Sequence, residues 1–200
     1  MKRLLLVIIL IVGCRSGSVD DKERWRESLS ELDYCAKWCD VGARHYEAIA
    51  NRAEQEGYMG AGRLFHALSY IEQIYKRLYI EALMGFGGHY SQTTYPHIAI
   101  DSTPINIVHA SQLWLPRDHM LPERIATIIH EGNRYVARLM IRHGAAANRR
   151  LREVERYRCG KDAETPHFLV CPRCGYMCDD NIVDSYCPQC YMPQSTFRIF

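Results

Sequence analysis

The sequence predicts a mainly α-helical protein in which a four-helix bundle is followed by a small, metal-stabilised β module. Long stretches with helical apolar spacing, separated by glycine-containing stops, predict the bundle. Six of the nine cysteines lie in the last 42 of the 200 residues, and this concentration predicts the module. With 48% apolar and 24% charged residues, the composition excludes wholesale disorder and a multi-span membrane protein. A formal net charge of +2 gives no electrostatic reason to expect nucleic-acid binding.

The first residues have the features of a secretory signal. Lys2 and Arg3 precede an apolar run at residues 4–12, which is followed by Gly13 and Cys14. A helix over that run rises only about 14 Å, too little to cross a hydrocarbon core of about 30 Å. The ending resembles the lipobox of bacterial lipoproteins, so we expect residues 1–14 to be a lipoprotein signal peptide with Cys14 as the lipidated N-terminus. The alternatives are an uncleaved anchor and an ordinary signal peptide with an incidental cysteine.

The first predicted helix pair lies between about residue 22 and residue 84. The first helix runs to Glu56 and stops at Gly57, which suits a helix C-terminus. The second covers about residues 60–84. Its apolar residues recur at alternating steps of four and three and predict one buried stripe. The stripe consists of Leu64, Leu68, Ile71, Tyr75 and Leu78.

A connection without helical period, residues 89–100, leads to the second helix pair. The third helix starts at Ser102, with proline in its first turn, and continues toward Gly132. Pro116 and Pro122 should kink or split it. The fourth helix covers about residues 133–156. Two helices, a long crossover and two more helices predict a four-helix bundle of ferritin-like connectivity over residues 22–158.

The C-terminal residues 166–200 carry two C-x-x-C knuckles. Cys171 and Cys174 form the first, and Cys187 and Cys190 form the second after twelve intervening residues. Such knuckles bring four thiolates into a tetrahedron around one iron or zinc ion. The alternative is two disulfides, which an extracytoplasmic location would permit. We interpret Cys178 as a fifth thiol that is not a ligand.

The two knuckles differ in the residue that follows them. Gly175 follows the first knuckle, where a positive φ lets backbone amides point at sulfur. Tyr191 occupies the matching place after the second knuckle.

A run of eight arginines between Arg134 and Arg158 is interpreted as a solvated helix face.

The two knuckles with their flanks resemble a known family. VCPRCGY, from residue 170, and CPQCYMPQSTF, from residue 187, are similar to the rubredoxin-like module that closes rubrerythrins. Residues 53–68 and 122–132 resemble helix-junction and third-helix segments of the rubrerythrin bundle. The likeness covers the chain from about residue 30 to its end. It implies a ferritin-like bundle with a peroxide-reducing diiron site, a rubredoxin-like iron that supplies electrons, and a homodimer.

The resemblance also implies a diiron ligand set, which this chain lacks. The family pattern is a glutamate on the first helix, Glu-x-x-His on the second, Glu-x-x-Glu on the third and Glu-x-x-His on the fourth. Only Glu72 matches it. The other positions are Cys39, Tyr75, Leu113, Pro116, Ala147 and Arg150, with Trp114 and Arg117 in an alternative register of the third helix. Since two ferrous ions need several carboxylates, we expect no functional diiron centre.

Other donors do not restore the set. Asp40 points about 100° around the helix from Cys39 and is a poor substitute. Histidines remain as ligands of a rearranged site, but none pairs with a carboxylate at useful helical spacing near Glu72. They are His45, His66, His109, His119, His130 and His143.

We therefore expect Arg150 to reach Glu72 across the bundle, because a lone buried carboxylate is costly. Tyr75 and Cys39 would pack the remaining space. The alternative is a rotated helix with Glu72 in solvent. Cys35 and Cys39, four apart on one helix face, are expected to be buried thiols without a disulfide.

The predicted function is an extracytoplasmic, membrane-anchored rubrerythrin-like protein that binds one iron in the four-cysteine site and transfers electrons to an unidentified redox partner. One alternative is a peroxide reductase with an altered ligand set. The other is a zinc-stabilised scaffold without catalysis, since zinc has no redox chemistry.

Overall fold

The computed structural model describes residues 19–92, 99–114, 122–158, 167–179 and 185–200. The predicted signal peptide with Cys14, and also Pro116, His119 and Cys159, lie outside the described residues.

The first helix pair is an antiparallel hairpin. A short helix, α1 (Val19–Arg24), precedes α2 (Arg26–Gln55), and α3 (Met59–Gly85) returns along α2. The turn between them follows the glycine signal in the sequence. Gly57 has φ +84°, and the Tyr58 N–H donates to the Ala53 carbonyl at 2.8 Å. This hydrogen bond closes a Schellman motif, which requires a residue in the left-handed region.

The third predicted helix corresponds to two described segments, which lie on either side of residues 115–121, outside the described residues. Its first part is α4 (Thr103–His109), which continues as a π-helical segment (Ala110–Trp114). Its second part is α5, which spans Pro122–Glu131 and so begins at one of the two prolines. The last helix of the bundle, α6, spans Arg134–Arg158.

Two carboxylates tie the helix pairs together by capping helix N-termini. Glu131, at the end of α5, accepts hydrogen bonds from the backbone N–H groups of Glu27 and Ser28 at 2.8 and 2.9 Å. Glu56 accepts one from the Thr103 N–H at 2.7 Å. Free N–H groups at a helix start favour negative charge. The hydrogen bonds from Thr103, joined by the charge of Arg52, lower the pKa of Glu56.

The bundle core contains the predicted apolar stripe of α3. Leu64, Leu68, Ile71 and Tyr75 are fully buried, and Leu78 is half-buried. They pack with Ile49 of α2 and with side chains of α6 in one continuous apolar cluster.

The C-terminal module is a three-stranded antiparallel sheet. Its strands are β1 (Phe168–Val170), β2 (Met177–Asp179) and β3 (Arg198–Ile199), in the order β2-β1-β3. Val170 pairs with Met177 on one side and with Arg198 on the other. The module packs against α3, where the Arg77 guanidinium donates to the Pro172 carbonyl at 2.9 Å.

The predicted fold, a ferritin-like bundle with a small rubredoxin-like β module, is confirmed. Within the parts of the chain that the structure describes, none of the helices combines the length and the apolar character needed to span a bilayer.

Candidate metal centre

The structure brings the four predicted cysteines of the module together. Their sulfur atoms all lie within 4.8 Å of one another. Cys171 and Cys190 are 3.5 Å apart at sulfur, and so are Cys174 and Cys187. A tetrahedral ion with metal–sulfur bonds of about 2.3 Å needs sulfurs about 3.8 Å apart. A disulfide needs about 2.05 Å. The donor set therefore fits one tetrahedral metal ion, and the four thiols are free cysteines.

Both knuckles adopt the same backbone turn. Gly175 has φ +71° and Tyr191 has φ +58°. The Gly175 N–H donates to the Cys171 carbonyl at 3.0 Å, and the Tyr191 N–H donates to the Cys187 carbonyl at 2.9 Å. The positive φ predicted for Gly175 is confirmed. Tyr191 adopts a conformation that costs a non-glycine residue roughly 1–2 kcal/mol, so the second knuckle is held by the rest of the module.

Backbone amides around the knuckles point at sulfur. The N–H groups of Arg173 and Cys174 donate to the Cys171 sulfur, and the Met192 N–H donates to that of Cys190. Burial nevertheless raises the pKa of Cys171 to about 11, and burial raises the pKa of Cys174 further. Ionisation of these two buried thiols is therefore unfavourable without a cation, and a metal ion would supply the compensating charge.

The sulfur cluster is accessible from one side. Cys171, Cys174 and Cys187 are buried, whereas Cys190 is half-buried. Partial burial opposes ionisation of Cys190, but the Met192 N–H and the neighbouring thiols outweigh it and lower the pKa of this thiol. Cys178 lies outside the cluster, with its sulfur 3.9 Å from the Leu169 carbonyl oxygen.

A second cluster of polar side chains lies on the bundle axis. The Arg150 guanidinium contacts the Glu72 carboxylate in a buried ion pair, as predicted. Arg150 is only 2% exposed. Burial alone would disfavour its charge, but Glu72 holds the pKa of Arg150 above its ordinary value. Gly42 of α2 makes room for this pair, because a Cβ there would lie 3.3 Å from the Glu72 Cγ.

Tyr75 and Cys39 fill the space beside the ion pair, as predicted, and both are fully buried. The Tyr75 hydroxyl donates to the Arg142 carbonyl at 3.4 Å. The Cys39 thiol hydrogen-bonds to Glu72. Burial, reinforced by the Glu72 charge, raises the pKa of Cys39 well above its usual value. Cys39 is therefore a neutral thiol. Cys35 is also a free, buried thiol, as expected.

His143, which the sequence analysis named only as a ligand of a rearranged site, also belongs to this cluster, and its position beside the Glu72 carboxylate was not predicted. Its Nε2 lies 3.8 Å from a Glu72 carboxylate oxygen, and its ring stacks on Tyr75 with 3.8 Å between centroids. Its Nδ1 is 3.0 Å from the Tyr79 hydroxyl. The signal was available: His143 lies seven residues, two helical turns, before Arg150 and so shares its face.

Two of the other predicted donors have partners away from the axial cluster. Asp40 pairs with Lys76 at 2.9 Å, consistent with its expected rotation away from the site. His66 lies between two carboxylates, Glu47 and Glu54, on the α2–α3 surface.

The donors that the described residues place at the axis do not fit two iron ions. Cys39, Glu72 and His143 have donor atoms within 4.8 Å of one another, and only one of the three is a carboxylate. Arg150 already neutralises that carboxylate. Of the third-helix positions, Leu113 and Trp114 belong to the π-helical segment, and Pro116 and Arg117 lie outside the described residues.

The two clusters meet at one contact. A Cβ on Gly175 would lie 3.1 Å from Tyr75 Cε2 and 3.3 Å from Ile71 Cγ2. The first cysteine knuckle therefore packs directly on the side chain that stacks against His143.

Comparison with known proteins identifies the fold. No protein-family model matches the sequence, and no curated protein matches it. Solved structures of nigerythrin match over 100% of both chains at 23% identity. The fully reduced, all-ferrous state has a TM-score of 0.78, and the mixed-valent and partially reduced states have 0.77. The chain therefore has the fold of nigerythrin, a member of the rubrerythrin family.

Proposed function

We propose that the protein is a rubrerythrin-type electron-transfer protein that works through its four-cysteine site and has lost the diiron centre of the bundle. The observation that carries the proposal is the contrast between the two clusters. All four cysteine sulfurs that one tetrahedral metal ion needs are present and close together. The single carboxylate of the axial cluster, in contrast, is paired with Arg150.

The residues of the module suit reversible electron transfer. Iron in a tetrathiolate site supplies a ferrous–ferric couple. The N–H groups that point at sulfur stabilise thiolate charge, and burial of three cysteines keeps water away. The half-buried Cys190 leaves one edge of the site near solvent, where a partner can approach.

Metal analysis of the purified full chain tests the proposal. We expect one iron per chain, visible thiolate-to-iron absorption that dithionite bleaches, and no peroxide turnover. The matched variant Glu72→Gln should keep the same iron content, because the bundle would contribute none. One zinc in colourless protein would overturn electron transfer and favour the scaffold alternative. Two additional irons that Glu72→Gln removes, together with peroxide reduction, would restore the enzyme.

The extracytoplasmic location is a separate proposal, supported by the basic, apolar and Gly13–Cys14 pattern at residues 2–14. Acylation of Cys14 with two or more chains would give stable anchoring. We expect the wild-type protein to label with palmitate and to sediment with membranes, and Cys14→Ser to do neither. Labelling of neither protein would contradict the lipoprotein assignment.

The resemblance to rubrerythrins also supports a homodimer. Sedimentation analysis of the mature protein should give twice the mass of one chain, and a single-chain mass would contradict this proposal.

A further inference from the structure

Part of the arginine run on α6 forms a surface beside the four-cysteine site. Arg134, Arg138 and Arg142 follow one another at steps of four and therefore share one helix face about 12 Å long. All three are exposed, as is Arg173 in the first knuckle. We call these four residues the arginine surface.

A cavity of about 390 Å³ lies between α6 and the module, within this surface. Arg138, Arg142 and Arg173 line it together with two metal-site cysteines, Cys174 and Cys190. The positive side chains therefore surround the accessible edge of the candidate metal site.

Among the described residues, no acidic side chain balances the charge of the arginine surface. None of the described residues that line the cavity is an Asp or a Glu. Within the described residues, no carboxylate forms an ion pair with any of the four arginines. The last turns of the same helix differ. There Arg156 pairs with Glu153 at 2.7 Å, and Arg158 pairs with Glu155 at 2.6 Å. If the arginines of α6 formed only a solvated helix face, there would be no reason for those near Cys190 to lack acidic partners while those in the last turns have them.

We propose that the arginine surface docks an acidic electron-transfer protein that exchanges electrons through the Cys190 edge. The inference rests on the proposed electron-transfer function. Docking brings the partner's one-electron centre to the thiolates. One electron passes from the reduced partner to the ferric ion, the partner is oxidised by one electron, and no bond is formed or broken. Complementary charge would steer the encounter.

Two observations favour a protein over an anionic membrane surface. The positive charge is concentrated around two metal ligands, a placement that lipid binding does not require. Tyr135 also lines the cavity and is 60% exposed, and such aromatic side chains are enriched at protein interfaces.

Binding to a redox-inert form of the full chain tests docking separately from electron transfer. The zinc-loaded protein is titrated calorimetrically with an acidic plant-type [2Fe–2S] ferredoxin as the probe. The test variant is Arg138→Glu/Arg142→Glu/Arg173→Glu. The control, Lys22→Glu/Arg26→Glu/Arg152→Glu, changes the net charge equally at exposed residues outside the cavity.

We expect salt-sensitive binding that weakens at least about tenfold in the test variant and little in the control. Stopped-flow reduction of the iron-loaded proteins by reduced ferredoxin should follow the same order. Equal binding by all three proteins, or none by the wild type, would overturn the docking proposal, even if dithionite still reduces the iron. Iron that dithionite cannot reduce would instead overturn the proposed function. Loss of binding to phosphatidylglycerol vesicles in the test variant, with ferredoxin binding unchanged, would assign the surface to lipid and overturn protein docking.

Discussion

The four-cysteine module and the bundle axis stabilise buried negative charge in opposite ways. At the axis, the counter-charge of Glu72 is the covalently attached guanidinium of Arg150. In the module, four thiols converge without any cationic side chain among them, so thiolate charge there would need a bound ion as its counter-charge. The single positive charge of Arg150 matches the single carboxylate of Glu72, so this part of the axis is neutral without any bound ion.

The two regions also depend differently on what they bind. The bundle has a continuous apolar core contributed by several helices. The module has a small separate cluster built largely from its own cysteines. A unit with so small a core of its own is commonly stabilised by a bound metal ion. We therefore expect substitution of a cysteine ligand to abolish metal binding and unfold the module. Substitutions at the bundle axis should change the stability of the bundle through lost packing and an unpaired charge.

The largest expected effect is loss of the metal on removal of one ligand. Cys174→Ser should lose most of its bound iron or zinc and should unfold the module while the bundle stays helical, because metal binding contributes on the order of 10 kcal/mol to such sites. Metal content by mass spectrometry and helicity by circular dichroism measure the two effects.

Cys178→Ser is the matched control, because Cys178 is a buried thiol of the same module outside the four-sulfur group. It should keep one metal per chain. Equal metal loss in both variants would mean that the ligand assignment is wrong.

Removing one partner of the Glu72–Arg150 ion pair should have the next largest effect, a loss of bundle stability. Arg150→Met should destabilise the bundle by roughly 3–5 kcal/mol, because it leaves the Glu72 carboxylate buried without its cation. The double variant Glu72→Leu/Arg150→Met should recover most of this loss, since apolar replacement of a buried pair is often neutral. Urea denaturation followed by circular dichroism measures both. A cost below about 1 kcal/mol for Arg150→Met would contradict the buried pair.

The sequence predicted the two regions unequally, for physical reasons. The cysteine spacing is local, so it specified the module site before any tertiary structure was known. The Glu72–Arg150 pair was predictable because both residues occupy matching positions of a bundle whose connectivity was recognised. The seven-residue spacing places His143 on the same face of α6 as Arg150, but its contacts with Tyr75 and Tyr79 were not predicted, because those partners belong to α3. The arginine run was interpreted by composition alone, and its position beside Cys174 depends on how the module packs.

A smaller effect tests the contact between the two regions. Gly175→Ala should cost roughly 1–3 kcal/mol, because alanine is strained at φ +71° and its Cβ would crowd Tyr75. We expect this destabilisation of the first knuckle to be measured as faster release of the metal to a chelator. Gly85→Ala is the control, since a Cβ there meets nothing within 4 Å and the residue has no positive φ. Equal release rates in the two variants would argue against the close contact.

The smallest expected effect has the opposite sign and compares the two knuckles. Tyr191 is 81% exposed, so its side chain contributes little packing, yet its backbone has φ +58°. Tyr191→Gly should relieve the left-handed strain at some cost in chain entropy, leaving a net stabilisation of about 0.5–1 kcal/mol. Metal release should become slower than in the wild type. Faster release would mean that the tyrosine ring stabilises the second knuckle in a way that its exposure does not indicate, and that the two knuckles are not equivalent.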